Sequence, residues 1–191
     1  MKFGLWLALT LVVLAAVAEA GPPDVESISL IGRYGIGHGC PVDGYIVSAA
    51  HLLEPLPLKG APQAYTYQQG ESTGFLDPVQ TLISRDLGFF TVAEGGDPVF
   101  FFARAPSDPK PGDKVYWFEF NVADDPLALK RKDGKVRSIR AGHVSFRPSP
   151  APGASGGCVF NENGDVLGVV IWSLGYKPSG IAALVTGKWF E

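Results

Sequence analysis

The sequence predicts an all-β protein: two six-stranded antiparallel β-barrels in tandem, with a short C-terminal helix. Three observations lead there. The 191 residues include 24 glycines and 16 prolines, and short β-branched or aromatic clusters lie between them, the composition of strands joined by tight turns. About six such clusters stand on each side of a single break, a count that suits paired small barrels. The break is Arg104 to Gly112, where Pro106, Pro109, Pro111 and Gly112 are set among charged residues. The expected organisation is a leader over 1–20, a first barrel over 21–105, a linker over 106–112 and a second barrel over 113–191.

The leader opens with Met1-Lys2, continues as an apolar run from Phe3 to Ala18, and ends at Ala18-Glu19-Ala20. A positive start, an apolar centre and a small-x-small end make a secretory signal peptide, with Gly21 as the first mature residue. The run nearly reaches the roughly 17–20 residues of a membrane span, but Ala18-x-Ala20 and the following Pro22-Pro23 favour cleavage. The expected protein is therefore exported, periplasmic or extracellular, with no stable membrane insertion afterwards. Net charge is −3, with or without the leader, which argues against nucleic acid as the main partner. The basic run Lys130-Arg131-Lys132 reads as a solvated loop beside a hairpin turn at Asp133-Gly134.

In the first half, Ser27 to Ile31 alternates like a half-buried strand. The glycine-rich stretch Tyr34 to Gly39 reads as a turn, with His38 on its surface. Asp43-Gly44 is a hairpin signal, Tyr45 to Ser48 a strand, and Ala49-Ala50-His51 a tight turn that leaves an imidazole at the strand's end. The segment Glu54 to Gly74 is rich in Pro, Gln and Gly around a short Tyr65-Thr66-Tyr67 strand. Strands at Val79 to Ile83 and Phe89 to Val92 flank a turn at Ser84 to Gly88, and Val99 to Phe102 closes the half.

In the second half, Lys114 to Phe120 is a strand. Leu127–Lys130 and Val136–Ile139 are expected to pair across Asp133-Gly134. Gly142 to Phe146 and Val166 to Trp172 are strands, the latter after a turn at Asn163-Gly164. Ala182 to Phe190 is the expected helix.

The chemistry-bearing stretch is Pro152-Gly153-Ala154-Ser155-Gly156-Gly157. Flanking glycines permit backbone angles closed to other residues, so amide N–H groups can converge beside the Ser155 hydroxyl as an oxyanion hole does. A hydroxyl is a weak nucleophile without a base, and the base needs a group that fixes its tautomer. His51 and Asp86 can supply both. Taken singly, each has a bland reading: a flexible turn, a packed histidine, an aspartate shaping a turn.

The order His51, Asp86, Ser155 and three neighbourhoods resemble the trypsin-like (chymotrypsin-fold) serine peptidases. Ile46-Val47-Ser48-Ala49-Ala50-His51 is similar to that family's histidine segment. Arg85-Asp86-Leu87-Gly88-Phe89-Phe90 is similar to its aspartate segment, with Gly88 and the phenylalanines as departures. Gly153-Ala154-Ser155-Gly156-Gly157 is similar to its nucleophile loop. Pro111 to Val115, Ala141 to Ser145 and Asn163 to Val169 resemble the bacterial high-temperature-requirement type, and no PDZ-like extension is expected.

The resemblance implies an exported serine endopeptidase acting on protein or peptide substrates without cofactor or metal. Ser155 would be nucleophile, His51 the base, Asp86 its orienting partner, and the N–H groups of Gly153 and Ser155 the oxyanion hole. Ser149 would lie at the floor of the substrate pocket, with Ile171, Trp172 and Ser173 along the substrate-binding strand. Serine at the floor brings no negative charge, so the expected preference is a small or medium apolar residue. His143 is expected to pack. In that fold Cys40 and Cys158 approach each other across the barrel interface, and a disulfide and two separate thiols both remain open. The alternatives are a catalytically idle barrel pair that binds peptide or protein, and an esterase using the same three residues.

Overall fold

A computed structural model of the chain describes residues 28–32, 35–52, 65–121, 125–173 and 179–185. Six strands build the first sheet: β1 Ile28–Gly32, β2 Gly35–Val42, β3 Tyr45–Ala49, β4 Tyr65–Gln69, β5 Ser72–Leu82 and β6 Leu87–Val92. Six more build the second: β7 Lys114–Asn121, β8 Asp125–Arg140, β9 His143–Arg147, β10 Cys158–Phe160, β11 Val166–Ser173 and β12 Gly180–Leu184. Both sheets close, in the orders β1-β2-β3-β6-β5-β4 and β10-β11-β12-β9-β8-β7. Closure pairs the strands of each sheet on both sides, so among the described residues neither sheet presents a free edge.

Turn chemistry accounts for the hairpins. Asp43 and Gly44 both take positive φ, 50° and 82°, as the type I′ turn between β2 and β3 requires. Between β10 and β11, Asn161 Oδ1 accepts from the amides of Asn163 and Asp165, and Gly164 supplies the positive φ.

Paired apolar neighbours in the sequence mark strands buried on both faces, because successive side chains point to opposite sides. Phe90 and Ile46 fill the first barrel with Tyr67 and Leu76. Their neighbours Phe89 and Val47 turn the other way, into a core shared with Tyr116, Phe160, Val169 and Ile171 of the second barrel. On β7, Trp117 enters the second barrel while Tyr116 joins the shared core. Each such large side chain contributes roughly 1.5–3 kcal/mol on full burial, so the interface is held much as the barrel interiors are.

Cys40 and Cys158 form a disulfide in this interface, with Cα atoms 4.8 Å apart. It joins β2 to β10 and so joins the two barrels. The proline-rich passage between them is pinned to both: the Phe102 amide donates to the Pro41 carbonyl, while Ala103 and Ala105 exchange backbone bonds with Val166.

Four expectations are corrected. Ala182, Ala183 and Leu184 belong to β12, not to a helix. The methyl side chains at 182 and 183 are fully buried, and pairing with β9 and β11 outweighs alanine's helix propensity. The remainder of that expected helix, 186–190, lies outside the described residues, and no α-helix occurs among those described. Asp133-Gly134 is not a hairpin, since β8 runs through it as a single strand paired with β7. Gly134 is instead a point of close approach, where a Cβ would lie 2.3 Å from the Arg147 carbonyl oxygen. Lys130-Arg131-Lys132 is therefore strand, with the Arg131 guanidinium 3.9 Å over the Tyr116 ring. Gly35 to Gly39 is also strand, in β2, and His38 is fully buried. Among the described residues no helix is long and apolar enough to cross a membrane.

Candidate active site

His51 sits in the single 3₁₀ turn Ala50–Leu52 that follows β3, and Asp86 caps the turn Ile83–Arg85 that precedes β6. Because β3 and β6 pair, with Ala49 opposite Leu87, the two turns lie side by side. Asp86 adopts the left-handed conformation, φ 56° and ψ 45°, which aspartate tolerates better than most residues. That conformation brings three acceptors to the neighbouring turn. Its carbonyl accepts from the Ala50 amide at 2.9 Å, Oδ1 from the His51 amide at 2.8 Å, and Oδ2 from the His51 ring at 2.6 Å. A carboxylate only accepts, so Nδ1 carries the proton and Nε2 keeps its lone pair free to take another.

The serine loop is two successive turns. The Ala154 amide returns to the Ala151 carbonyl at 3.2 Å, around Pro152 and Gly153, whose φ is +95°. Proline second and a positive-φ glycine third are the requirements of a type II turn. The Gly157 amide then returns to the Ala154 carbonyl at 3.1 Å, around Ser155 and Gly156, φ +84°. Beyond them Gly156 donates to Val170 and Val170 to Gly157, at 2.7 and 2.8 Å, which stitches the loop onto β11. The N–H groups of Gly153 and Ser155 make no hydrogen bond among the described residues.

From the first barrel, the His38 amide donates to the Ser155 carbonyl at 3.1 Å, and the Ser48 hydroxyl donates to the His38 carbonyl at 2.7 Å. The His38 ring stacks on Phe120, with centroids 4.1 Å apart. Burial pushes its pKa down to about 4, because a charged imidazole there loses its hydration. Its glycine neighbours suggest a surface turn, but the residue is fully buried.

The other expected residues divide. The Ser155 hydroxyl is half-buried and makes no hydrogen bond to the His51 ring among the described residues. The Ser149 hydroxyl is buried and has no protein partner there. Ile171 is packed in the core between the barrels. Trp172 and Ser173 pair through their backbones with Ile181 and Gly180, while their side chains lie outside the described residues. His143 is tied to its own turn, its Nδ1 3.0 Å from the Ala141 carbonyl oxygen. No cluster of potential metal ligands occurs among the described residues.

The model of the trypsin-like peptidase domain matches residues 36–169, a stretch that contains His51, Asp86 and Ser155. This chain belongs to the trypsin-like peptidase domain family. Solved structures similar to this trypsin-like domain include the active form of the Rv3671c protease from M. tuberculosis, at 19% identity and TM-score 0.64, covering 89% of this chain and 79% of that one. The apo MamO protease domain from Magnetospirillum magneticum is similar at 20% identity and TM-score 0.64, over 85% of this chain and 92% of that one. A serine protease of a human pathogenic astrovirus is similar at 17% identity and TM-score 0.65, over 86% and 91%. Identities so low speak for the shared fold alone. No curated protein matches the chain.

Proposed function

We propose that this trypsin-like peptidase domain is a serine endopeptidase in which Ser155 attacks a peptide carbonyl and His51 takes and returns the proton. Asp86 fixes the imidazole and stabilises its charged form, and the Gly153 and Ser155 amides hold the oxyanion through an acyl-enzyme intermediate. The observation that carries this reading is the grip of Asp86 on His51 through both the backbone amide and Nδ1. A packing histidine has no need of that second constraint, whereas a general base must present one nitrogen in one direction. The reading does not require a hydrogen bond from Ser155 to the ring in the free protein, since such bonds often tighten only when substrate binds.

Ser149 supports an uncharged pocket floor, and the proposed preference is a small or medium apolar residue. The motifs Pro111 to Val115 and Asn163 to Val169 favour the high-temperature-requirement type among relatives. The leader and the Cys40–Cys158 disulfide together favour export to an oxidising compartment.

Labelling with a fluorophosphonate probe, followed by peptide mapping, tests the reading. The expected adduct is on Ser155, with turnover of a peptide library that stops in Ser155→Ala. A folded protein that binds peptides but neither labels nor cleaves them would be an idle binding module instead.

A further inference from the structure

A buried carboxylate supports the serine loop from below. On β7 the alternation sends Val115 and Trp117 into the second barrel, and Glu119 follows the same parity, only 7% exposed. Its Oε1 accepts two hydrogen bonds of 2.8 Å, one from the Trp117 indole N–H and one from the Ala151 amide. Its Oε2 lies 3.9 Å from the Lys132 ammonium.

Each partner has a distinct place. Trp117 is fully buried and packs edge-on against Phe146, centroids 4.9 Å apart, so its indole is a fixed post. Ala151 is the first residue of the turn whose third residue is Gly153, and that turn is closed by the Ala154 amide on the Ala151 carbonyl. One line of hydrogen bonds thus runs from the rigid barrel interior through a single carboxylate oxygen to the Gly153 turn. An apolar side chain would fill the barrel mouth at lower cost, because a buried carboxylate loses its hydration unless donors replace it. The charge is accounted for by the loop it holds.

Resting on the reading of Ser155 as nucleophile, we infer that Glu119 is the positioning residue of the oxyanion hole. It anchors Ala151 so that the Gly153 amide stays aimed at the oxygen of the tetrahedral intermediate. Phe120, the next residue, stands beside the same turn, its ring 3.6 Å from where a Gly153 Cβ would lie. A side chain acting through the oxyanion donor affects the chemical step and leaves substrate binding little changed.

The test compares full-length Glu119→Met, which keeps the volume and removes the acceptor, with Glu119→Gln, whose Oε1 can still accept both bonds. Peptide turnover is measured beside amide hydrogen exchange at Ala151. The expected result is a kcat about 100-fold lower in the methionine variant with KM nearly unchanged, and activity within about threefold of wild type in the glutamine variant. Ala151 exchange should be slow in wild type and Glu119→Gln and at least about tenfold faster in Glu119→Met. An unchanged kcat in Glu119→Met, equal losses in both variants, or a change confined to KM would overturn the inference. If wild type has no turnover, the reading of Ser155 fails by itself, and Ala151 exchange still decides whether Glu119 holds the loop. Should the methionine variant not fold, Glu119→Asp, one methylene short of Ala151, takes its place with the same expectations.

Discussion

The backbone amide of His38 donates to the carbonyl of Ser155 at 3.1 Å, so a strand of the first barrel holds the serine loop of the second. The position of the loop that carries Ser155 therefore depends on the barrels staying docked. Three consequences for stability and one for catalysis can be measured.

Acid should weaken the fold through His38. Its native pKa is about 4 against an ordinary 6.5, so between those values the unfolded chain binds a proton that the native state refuses. The contribution of the neutral ring is complete above pH 6.5 and is lost as pH falls toward 4, by about 3 kcal/mol in all. Urea denaturation from pH 7 to pH 4 should show this slope, and His38→Phe should flatten it. An identical slope in both proteins would place the acid sensitivity elsewhere.

Gly156 tolerates no side chain. A Cβ would stand 1.9 Å from the His38 carbonyl oxygen and 2.5 Å from the Ser48 hydroxyl, at a φ of +84°. Gly156→Ala should cost about 3 kcal/mol or more, read as a lowered denaturation midpoint. A variant as stable as wild type would mean that the loop sits further from β2.

Reduction should loosen the barrel pair. The Cys40–Cys158 bond closes a loop of sequence separation 118, and removing a crosslink of that span costs about 2–5 kcal/mol. The Cys40→Ser/Cys158→Ser protein and the reduced wild type should share a lower denaturation midpoint than the oxidised form. Equal midpoints in all three would argue that the shared apolar core suffices.

Asp86→Asn tests the tautomer argument. An amide in place of Oδ2 can turn an N–H toward Nδ1 and leave the proton on Nε2, where it blocks uptake from Ser155. The expected loss is about 10⁴-fold in kcat with KM little altered. A loss below tenfold would remove Asp86 from the proposed mechanism.

Much of the local structure was legible from short stretches. Asp43-Gly44 and Asn163-Gly164 turn where their residue types require it, and Phe89-Phe90 is buried as an apolar strand. Asp133-Gly134 carries the same hairpin signature and is strand, because its neighbours on β7 and β9 outweigh a local turn preference. Glu119 leaves only a faint trace in the sequence: an acid on the inward parity set by Val115 and Trp117. His38 left little, since its setting depends on a loop more than a hundred residues away in sequence.

Local runs of residues were enough for the strand-rich class, several turns and the three neighbourhoods around His51, Asp86 and Ser155. Alternation and glycine conformations are properties of a few consecutive residues, so they can be read locally. That Cys40 reaches Cys158, that the His38 amide holds the Ser155 carbonyl, and that Glu119 is bonded to Ala151 emerged only in the folded chain. Those contacts arise when two closed sheets pack together, and burial, which sets their energies, belongs to no single stretch of chain.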